Sequence, residues 1–376
     1  MVGVDMPAKM NVPFFNYPRV YTDERDQLLK IIDEVGQRGA FILQQDLRDF
    51  ETALAHYTGS KHAIGVGNAT DGLEFGWMSI GLRPGDEVIF CSHTMLATAA
   101  AIKTAGGTPI PVELADDNLI DLDAVEDAIN PRTVGIMPTQ LNGRTCDMER
   151  LMNIAQRHRL FVVEDAAQAL GSRFKGKHAG TFGHASAISF FPAKVLGSLG
   201  DGGAVLTNDA GIFDRSFQLH DHGRDVEGEV RSWGRNSRLD NLQAAILHFR
   251  LKSYDQVITR RRAVAAIYQA RLGDLEELQL PPAPDANPDH FDVYQNYELQ
   301  ADRRDELKEH LKANGIGTLV QWGGKAVHQW ERLGFLVKLP KVERFFRRCI
   351  MLPMNMFVSN EEVHYVCDQV RSFYRT

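Results

Sequence analysis

The runs LFVVEDA (residues 160–166), ASAISFF (185–191) and GGAVLTN (202–208) decide the fold: three short apolar segments of strand length within residues 160–208. Toward the amino terminus the pattern repeats in VGIMPTQ (134–140), TPIPVEL (108–114), EVIFCS (87–92) and AIGVGN (63–68). Helical patterns lie between them, at 71–80, 95–105 and 148–158. Strands alternating with helices predict βαβ units, hence an α/β fold with seven strands in one mostly parallel sheet. Ligands of such sheets sit beyond the carboxyl ends of the strands. Toward the carboxyl terminus, a long helical pattern at 239–272, rich in Ala, Leu and Arg, closes the first region. After it come the proline-rich QLPPAPDANPDH (279–290), a strand-like DVYQNYELQ (292–300) and helices at 303–314 and 360–373. The expected organisation is a large domain over 1–250 and a smaller α+β carboxyl-terminal domain over 251–376.

The 376 residues are 44% hydrophobic and 24% charged, a composition able to bury sizeable cores. With 49 acidic and 42 basic residues the formal charge is -7, so the chain has no general attraction for nucleic acid or an anionic membrane. An anionic ligand must therefore be held by a local cluster. The longest apolar stretch, 95–102, falls well short of the roughly 20 residues that span a bilayer. The start MVGVDMPAKMNVPFF (1–15) has no basic segment leading into an apolar one, and a cytoplasmic protein is expected. Cys91, Cys146, Cys349 and Cys367 are scattered with no C-x-x-C pair and read as reduced thiols. GSRFKGKH (171–178) fits G-x-x-x-x-G-K, but His178 stands where a phosphate loop needs Ser or Thr for magnesium, so it reads as a turn with exposed lysines. H-E-x-x-H, G-x-S-x-G and a complete G-x-G-x-x-G are absent, and no metal site is expected.

Chemistry concentrates where LFVVEDA ends in Glu164 and Asp165, with Gln168 three residues on, and where SFFPAKVLGSLGDGG (189–203) places Lys194 between a strand and a glycine-rich turn. Taken alone, an aspartate there is a frequent turn cap and a lysine at a strand exit is usually solvated. Together they match the needs of pyridoxal 5'-phosphate: a lysine to form an imine, and a carboxylate to keep the pyridine nitrogen protonated as an electron sink. The cofactor's phosphate is best held by free N–H groups at a helix start, which Asn68, Ala69 and Thr70 in GVGNATDGL (65–73) offer. Ser189 adds a hydroxyl. Simple helix capping by the same residues is compatible with that role.

Five ordered motifs, from GAFILQQDLRDFETALAHYTGSKHAIGVGNATDGL (39–73) through LRPGDEVIFCSHTMLATAAAI (82–102), VEDAAQALG (163–171) and SFFPAKVLGSLGDGGAVLTND (189–209) to GRNSRLDNLQAAIL (234–247), resemble the DegT/DnrJ/EryC1/StrS group of sugar aminotransferases, nearly end to end. The resemblance implies the aspartate-aminotransferase-like fold (pyridoxal-phosphate fold type I). It makes Lys194 the imine lysine, Asp165 the pyridinium partner and Gln168 a contact to the ring hydroxyl, with Thr70, Ser189 and the backbone near Ala69 on the phosphate. Asn236 would reach that phosphate from a neighbouring subunit, so a homodimer with shared active sites is implied. Two departures stand out: Met95 occupies the position of a ring-stacking aromatic, and the family's substrate-side H-x-Q-P-like segment appears as KAVHQWERLGF (325–335), which aligns His328 only approximately.

The expected function is transfer of an amino group from an amino acid, L-glutamate by resemblance, to a keto carbon of a nucleotide-linked keto-deoxysugar, C3 favoured over C4. Arg224, Arg231, Arg235 and Arg238 around Asn236, together with Lys325, are the candidate cations for the nucleotide diphosphate. A dehydratase on the same sugars is the second enzymatic reading. It belongs to a branch of the fold with His in place of the imine lysine, and Lys194 argues against it. A catalytically silent regulatory or binding protein of the same fold is the reading from another class.

Overall fold

The computed structural model describes residues 9–375; the first eight residues of MVGVDMPAKMNVPFF, and Thr376, lie outside them. Helices α1 (Tyr17–Arg38) and α2 (Gln45–Thr58) lead into the alternating region: β1 (His62–Val66), α3 (Ala69–Ile80), β2 (Glu87–Cys91), α4 (Leu96–Thr104), β3 (Thr108–Val112), α5 (Leu122–Ala128), β4 (Thr133–Met137), α6 (Met148–His158) and β5 (Phe161–Asp165). Two more strands, β6 (Ala185–Ser189) and β7 (Gly203–Thr207), complete one seven-stranded sheet of order β1-β7-β6-β5-β4-β2-β3. Neighbours from β3 to β6 run parallel, while β7 is antiparallel to both β1 and β6. The mostly parallel seven-stranded sheet read from the apolar runs is present, with one reversed strand.

Alternation along the strands divides the core into two layers. Ile89, Ile136 and Val162 pack with Val125 of α5 and Leu151 and Ile154 of α6, whereas Val88, Phe90, Met137 and Val163 face Trp77 of α3 and Ile102 of α4. A sheet covered on both faces by helices leaves its strand ends as the accessible edge.

Helices α7 (Ala210–His220), α8 (Asn241–Leu251) and α9 (Tyr254–Leu272) follow, and the single helix expected over 239–272 is thus two. The N–H groups of Lys252 and Ser253 bond the carbonyls of Phe249 and Arg250, a tightened i→i+3 pattern that ends α8. The break lets α9 serve two cores. Tyr254 and Ile258 pack with Phe50, Leu54 and Leu247, and Val264, Tyr268 and Leu272 join a second core. That second core is built on a small antiparallel sheet of β8 (Leu278–Gln279), β9 (Tyr297–Ala301) and β10 (Cys349–Leu352), with α10 (Arg304–Ala313) packed on it; α11 (Pro340–Arg348) instead buries Val342, Phe345 and Phe346 in the layer of Ile89 and Val125, and α12 (Asn360–Arg375) returns to the second core. Val12, from the amino-terminal segment, is buried in this core and pairs with Ile316.

DVYQNYELQ is strand only from Tyr297 onward. Tyr294, at φ 51°, turns the chain out of extended geometry, so 292–296 take a path of their own. GSRFKGKH forms a tight hairpin between Arg173–Phe174 and Lys177–His178, with Lys175 and Lys177 exposed at the turn. All four cysteines are buried free thiols. Among the described residues no helix is long and apolar enough to cross a membrane.

Candidate active site

Strand register assembles the site. Gly203, the first residue of β7, pairs with Val66 of β1 on one side and Ser189 of β6 on the other, so the segments GVGNAT and SFFPAK leave the sheet at the same edge. Asp165 pairs with Ala187, two residues before Ser189, and brings the end of β5 to that edge as well. A side chain at Gly203 has no room: a Cβ there would stand 2.6 Å from the N atom of Ala69. The missing side chain lets the start of α3 close against the sheet. Asn68 caps that helix through its side-chain oxygen, which accepts the Asp71 N–H at 2.9 Å. The N–H groups of Ala69 and Thr70, in the first turn, have no helix carbonyl to meet. Thr70 and Ser189 are half-buried beside them. The result is a pocket of free donors at the positive end of a helix dipole, suited to a phosphate.

Adjacent strand residues point to opposite faces, which separates the two carboxylates of β5. Glu164 is fully buried and saturated: it accepts the N–H groups of Gly180, Phe182 and Gly183 and the amide of Gln140, all between 2.7 and 2.9 Å. It ties down the 180–183 loop and is spent. Asp165, only 4% exposed, keeps accepting capacity. Its Oδ2 accepts the Thr98 hydroxyl at 2.7 Å and its Oδ1 the Ala167 N–H at 3.2 Å, leaving lone pairs on a carboxylate that has about four acceptor sites. Burial raises its pKa, opposed by Thr98, Ala167 and the charge of Lys194.

Thr98 was not legible in the sequence. Its one hydroxyl proton goes to Asp165, so it must accept from Thr94, at 2.7 Å, and Thr94 in turn from Thr139, at 2.8 Å. This chain of three threonines aims a donor at the carboxylate and fixes its rotamer. The only trace is the i, i+4 spacing of Thr94 and Thr98.

Lys194 is half-buried, and desolvation lowers its pKa to about 8 against the opposing pull of Asp165. It lines a cavity of about 610 Å³ shared with Asn16 and Tyr17 at the start of α1, Arg250, and Asn296. Gln168 has its side-chain oxygen held by the Asn142 N–H at 2.8 Å, which fixes which end of the amide remains to contact a ligand. Met95 is the residue before α4; it is 49% exposed, and its sulfur receives the Ala97 N–H.

The expected substrate contacts are held differently. His328 is buried, with Nδ1 2.7 Å from Ser92 Oγ and Nε2 3.4 Å from Glu343, so one ring nitrogen is engaged with the segment before Met95 and the other with α11. Lys325 is exposed, its ammonium 5.1 Å from the Trp330 ring centroid. Every arginine of the 222–238 segment faces a carboxylate of its own chain: Arg224 and Arg238 share Asp221, Arg231 meets Asp225, and Arg235 grips Glu74. Asn236 is exposed, between Arg235 and Ser237, whose hydroxyl donates to Asp71 at 2.7 Å and receives the Gly67 N–H.

These residues fit pyridoxal 5'-phosphate: a helix start closed against a glycine for the phosphate, a buried carboxylate with spare acceptor capacity for the ring nitrogen, and a lysine whose amine is partly neutral near pH 8. The DegT/DnrJ/EryC1/StrS aminotransferase family model matches residues 22–371. The chain is 37% identical over 374 residues, 96% of each chain, to dTDP-3-amino-3,4,6-trideoxy-alpha-D-glucose transaminase of Streptomyces venezuelae. Among solved structures it resembles S. venezuelae DesV in complex with a ketimine intermediate, at 37% identity and TM-score 0.93, covering 97% of this chain and 99% of that one. It also resembles NtdA from Bacillus subtilis with bound cofactor PMP, at 29% identity and TM-score 0.90, covering 99% and 87%.

Proposed function

Because the chain belongs to the DegT/DnrJ/EryC1/StrS aminotransferase family, pyridoxal-phosphate enzymes acting on nucleotide sugars, we propose that it moves the amino group of L-glutamate onto C3 of a nucleotide-linked keto-deoxysugar. The observation that carries this reading is the meeting of Lys194, Asp165 and the start of α3 at one sheet edge. The cofactor, when bound, supplies a carbonyl that takes up the amino group and a protonated ring that accepts electrons from the substrate carbon. Lys194 would hold it through its amine, and that amine would also be the group that moves a proton at the substrate carbon. Asp165 would keep the ring nitrogen protonated, and Gln168 would orient the ring. Turnover with glutamate, followed as 2-oxoglutarate, tests the reaction, and a screen of nucleotide keto-sugars for loss of the aminated cofactor's absorbance identifies the acceptor. Dehydration without 2-oxoglutarate would favour the lyase reading, and no bound chromophore the silent one.

Two features support the finer assignments. NATDGL (68–73) is closer to the N-G-T-D-A-L form of 3-aminotransferases than to S-G-T-A-A-L, and the S. venezuelae relative is named for a 3-amino sugar. NMR of the product is expected to show nitrogen at C3; a 4-amino sugar refutes it.

The exposed Asn236 and its apolar surroundings, with Trp233 92% and Val230 68% exposed, support a homodimer in which Asn236 reaches its partner's phosphate pocket. A hydrogen bond to a charged group is worth about 1.5–3 kcal/mol, so Asn236→Ala is expected to weaken cofactor binding roughly 10- to 100-fold. Mixed dimers of Lys194→Ala and Asn236→Ala subunits, isolated with two affinity tags, would hold one intact site in two. At cofactor concentrations that leave the Asn236→Ala dimer empty, they should regain about half the parental activity. No recovery contradicts a shared site.

A further inference from the structure

Residues 292–296 leave the second sheet and run to the loop that carries Lys194. Gln295, only 7% exposed, accepts the Val195 N–H with Oε1 at 3.0 Å and donates from Nε2 to the Ala193 carbonyl at 2.9 Å. These are the polar groups on either side of Lys194, whose own N–H is taken by the Phe191 carbonyl at 2.8 Å. A paired β-strand would present an N–H and a C=O to such a segment; here one glutamine amide supplies both. Gln295 is itself fixed from behind. The buried guanidinium of Arg261 donates from Nε to the Tyr294 carbonyl and from Nη2 to the Gln295 carbonyl, both at 2.7 Å, and holds Tyr294 in its left-handed conformation. The neighbouring Asn296 donates to Asn142 at 2.8 Å, and Asn142 in turn holds Gln168. Two consecutive side chains therefore reach both the lysine loop and the backing of Gln168.

We propose that Gln295 is a positioning residue for Lys194, fixing the peptide groups that flank it so that its Nζ meets the cofactor's carbonyl carbon from a single direction. Misplacing a reacting group by about 1 Å is enough to cost some 100-fold in rate. The proposal rests on Lys194 being the amine that carries the cofactor. A loop staple with no bearing on that amine would, when removed, lower the melting temperature and leave the lysine's reactivity intact.

The test uses full-length protein freed of cofactor, with pyridoxal 5'-phosphate added and borohydride used to trap the lysine adduct over time, the adduct being located by peptide mapping. Gln295→Leu is expected to bind pyridoxamine phosphate within about threefold of the parent, since the phosphate pocket is untouched. Its trapping at Lys194 and its kcat should each fall about 10- to 100-fold, with little change in the KM for glutamate. Hydrogen exchange of the peptide spanning 190–197 should quicken. Gln295→Glu adds a signature that packing loss does not mimic. The ionised carboxylate can receive the Val195 N–H but repels the Ala193 carbonyl, while the protonated acid can donate to it, so the deficit should shrink as pH falls. Trapping and kcat within twofold of the parent in Gln295→Leu overturn the proposal. If that variant does not fold, a Gln295→Glu deficit that is the same at every pH overturns it. A parent adduct mapped away from Lys194 overturns the cofactor assignment and the proposal together, which keeps the two failures apart.

Discussion

Lys194→Ala is expected to abolish steady-state transamination, by roughly 10⁴-fold or more, in a protein that still folds and still retains aminated cofactor through dialysis. On the proposed reading one amine serves as both the covalent carrier and the proton shuttle, so its removal deletes two functions at once. The groups proposed to hold the phosphate and the ring nitrogen lie elsewhere, on α3, β5 and β6, and the substitution leaves them in place. Stability should not suffer. Desolvation holds the Lys194 pKa near 8, below its ordinary value, so at pH 7 the fold carries a desolvated ammonium that alanine removes. The sign follows: the parent's covalent capture of pyridoxal 5'-phosphate should slow by up to about tenfold per pH unit below about 8, where the amine is protonated, and level off above it. Retained turnover in the alanine variant would refute the assignment.

The elements that proved legible are those whose environment repeats along the chain. Strands covered on both faces by helices become continuous apolar runs, which is why LFVVEDA and EVIFCS announce themselves. Direction leaves no such trace: nothing in GGAVLTN marks β7 as the reversed strand, because the antiparallel pairing with β1 and β6 is set by chain connectivity. The helix expected over 239–272 failed at Lys252 and Ser253, where no proline or glycine intervenes and the break serves two separate cores. The apolar and aromatic residues of DVYQNYELQ suggested a longer strand, but Val293 packs beneath α2 and β6 while Tyr297 belongs to the second core.

The candidate site divides along the same line. Of the residues proposed to touch a cofactor, Asp165 and Ser189 are the last residues of their strands and Lys194 follows Ser189 by five positions, where the apolar pattern stops and their chemistry stands out against it. Residues that act through other residues do not. Thr98, Asn142 and Gln295 are ordinary polar residues, and their importance comes from partners 26 to 102 positions away in the chain, on elements that only the fold brings near. The arginines of 222–238 are the converse case. Sequence proximity makes a basic cluster of them, yet each faces a carboxylate of the same chain, Arg224 and Arg238 sharing one, so any nucleotide diphosphate they bind must displace or share an existing ion pair.

The second large effect falls on Asp165. Asp165→Asn is expected to lower kcat by about 10²–10⁴-fold while leaving the fold intact. The asparagine has the same shape and can still accept the Thr98 hydroxyl through its one amide oxygen, so the threonine chain from Thr139 survives, while its NH2 group then faces the Ala167 N–H, whose 3.2 Å bond to the aspartate is given up. Besides that long bond, what it loses is negative charge in a buried position. A neutral amide cannot stabilise a protonated pyridine nitrogen, and without that proton the ring no longer draws electrons from the substrate carbon. The stability consequence has the opposite sign. Burial raises the Asp165 pKa, so its ionised form opposes folding above the ordinary carboxylate range until a cation arrives to pair with it. Without cofactor, the asparagine variant should therefore melt at the same temperature as the parent or higher at pH 7, and the difference should vanish as pH falls through the carboxylate range and the parent's Asp165 is protonated. With cofactor the order should reverse, because only the parent gains the ion pair. Paired melting curves with and without pyridoxal 5'-phosphate, alongside kcat, check this. A cofactor-free variant clearly less stable than the parent would mean that the Asp165 charge serves the fold itself, and an unchanged kcat would remove it from the chemistry.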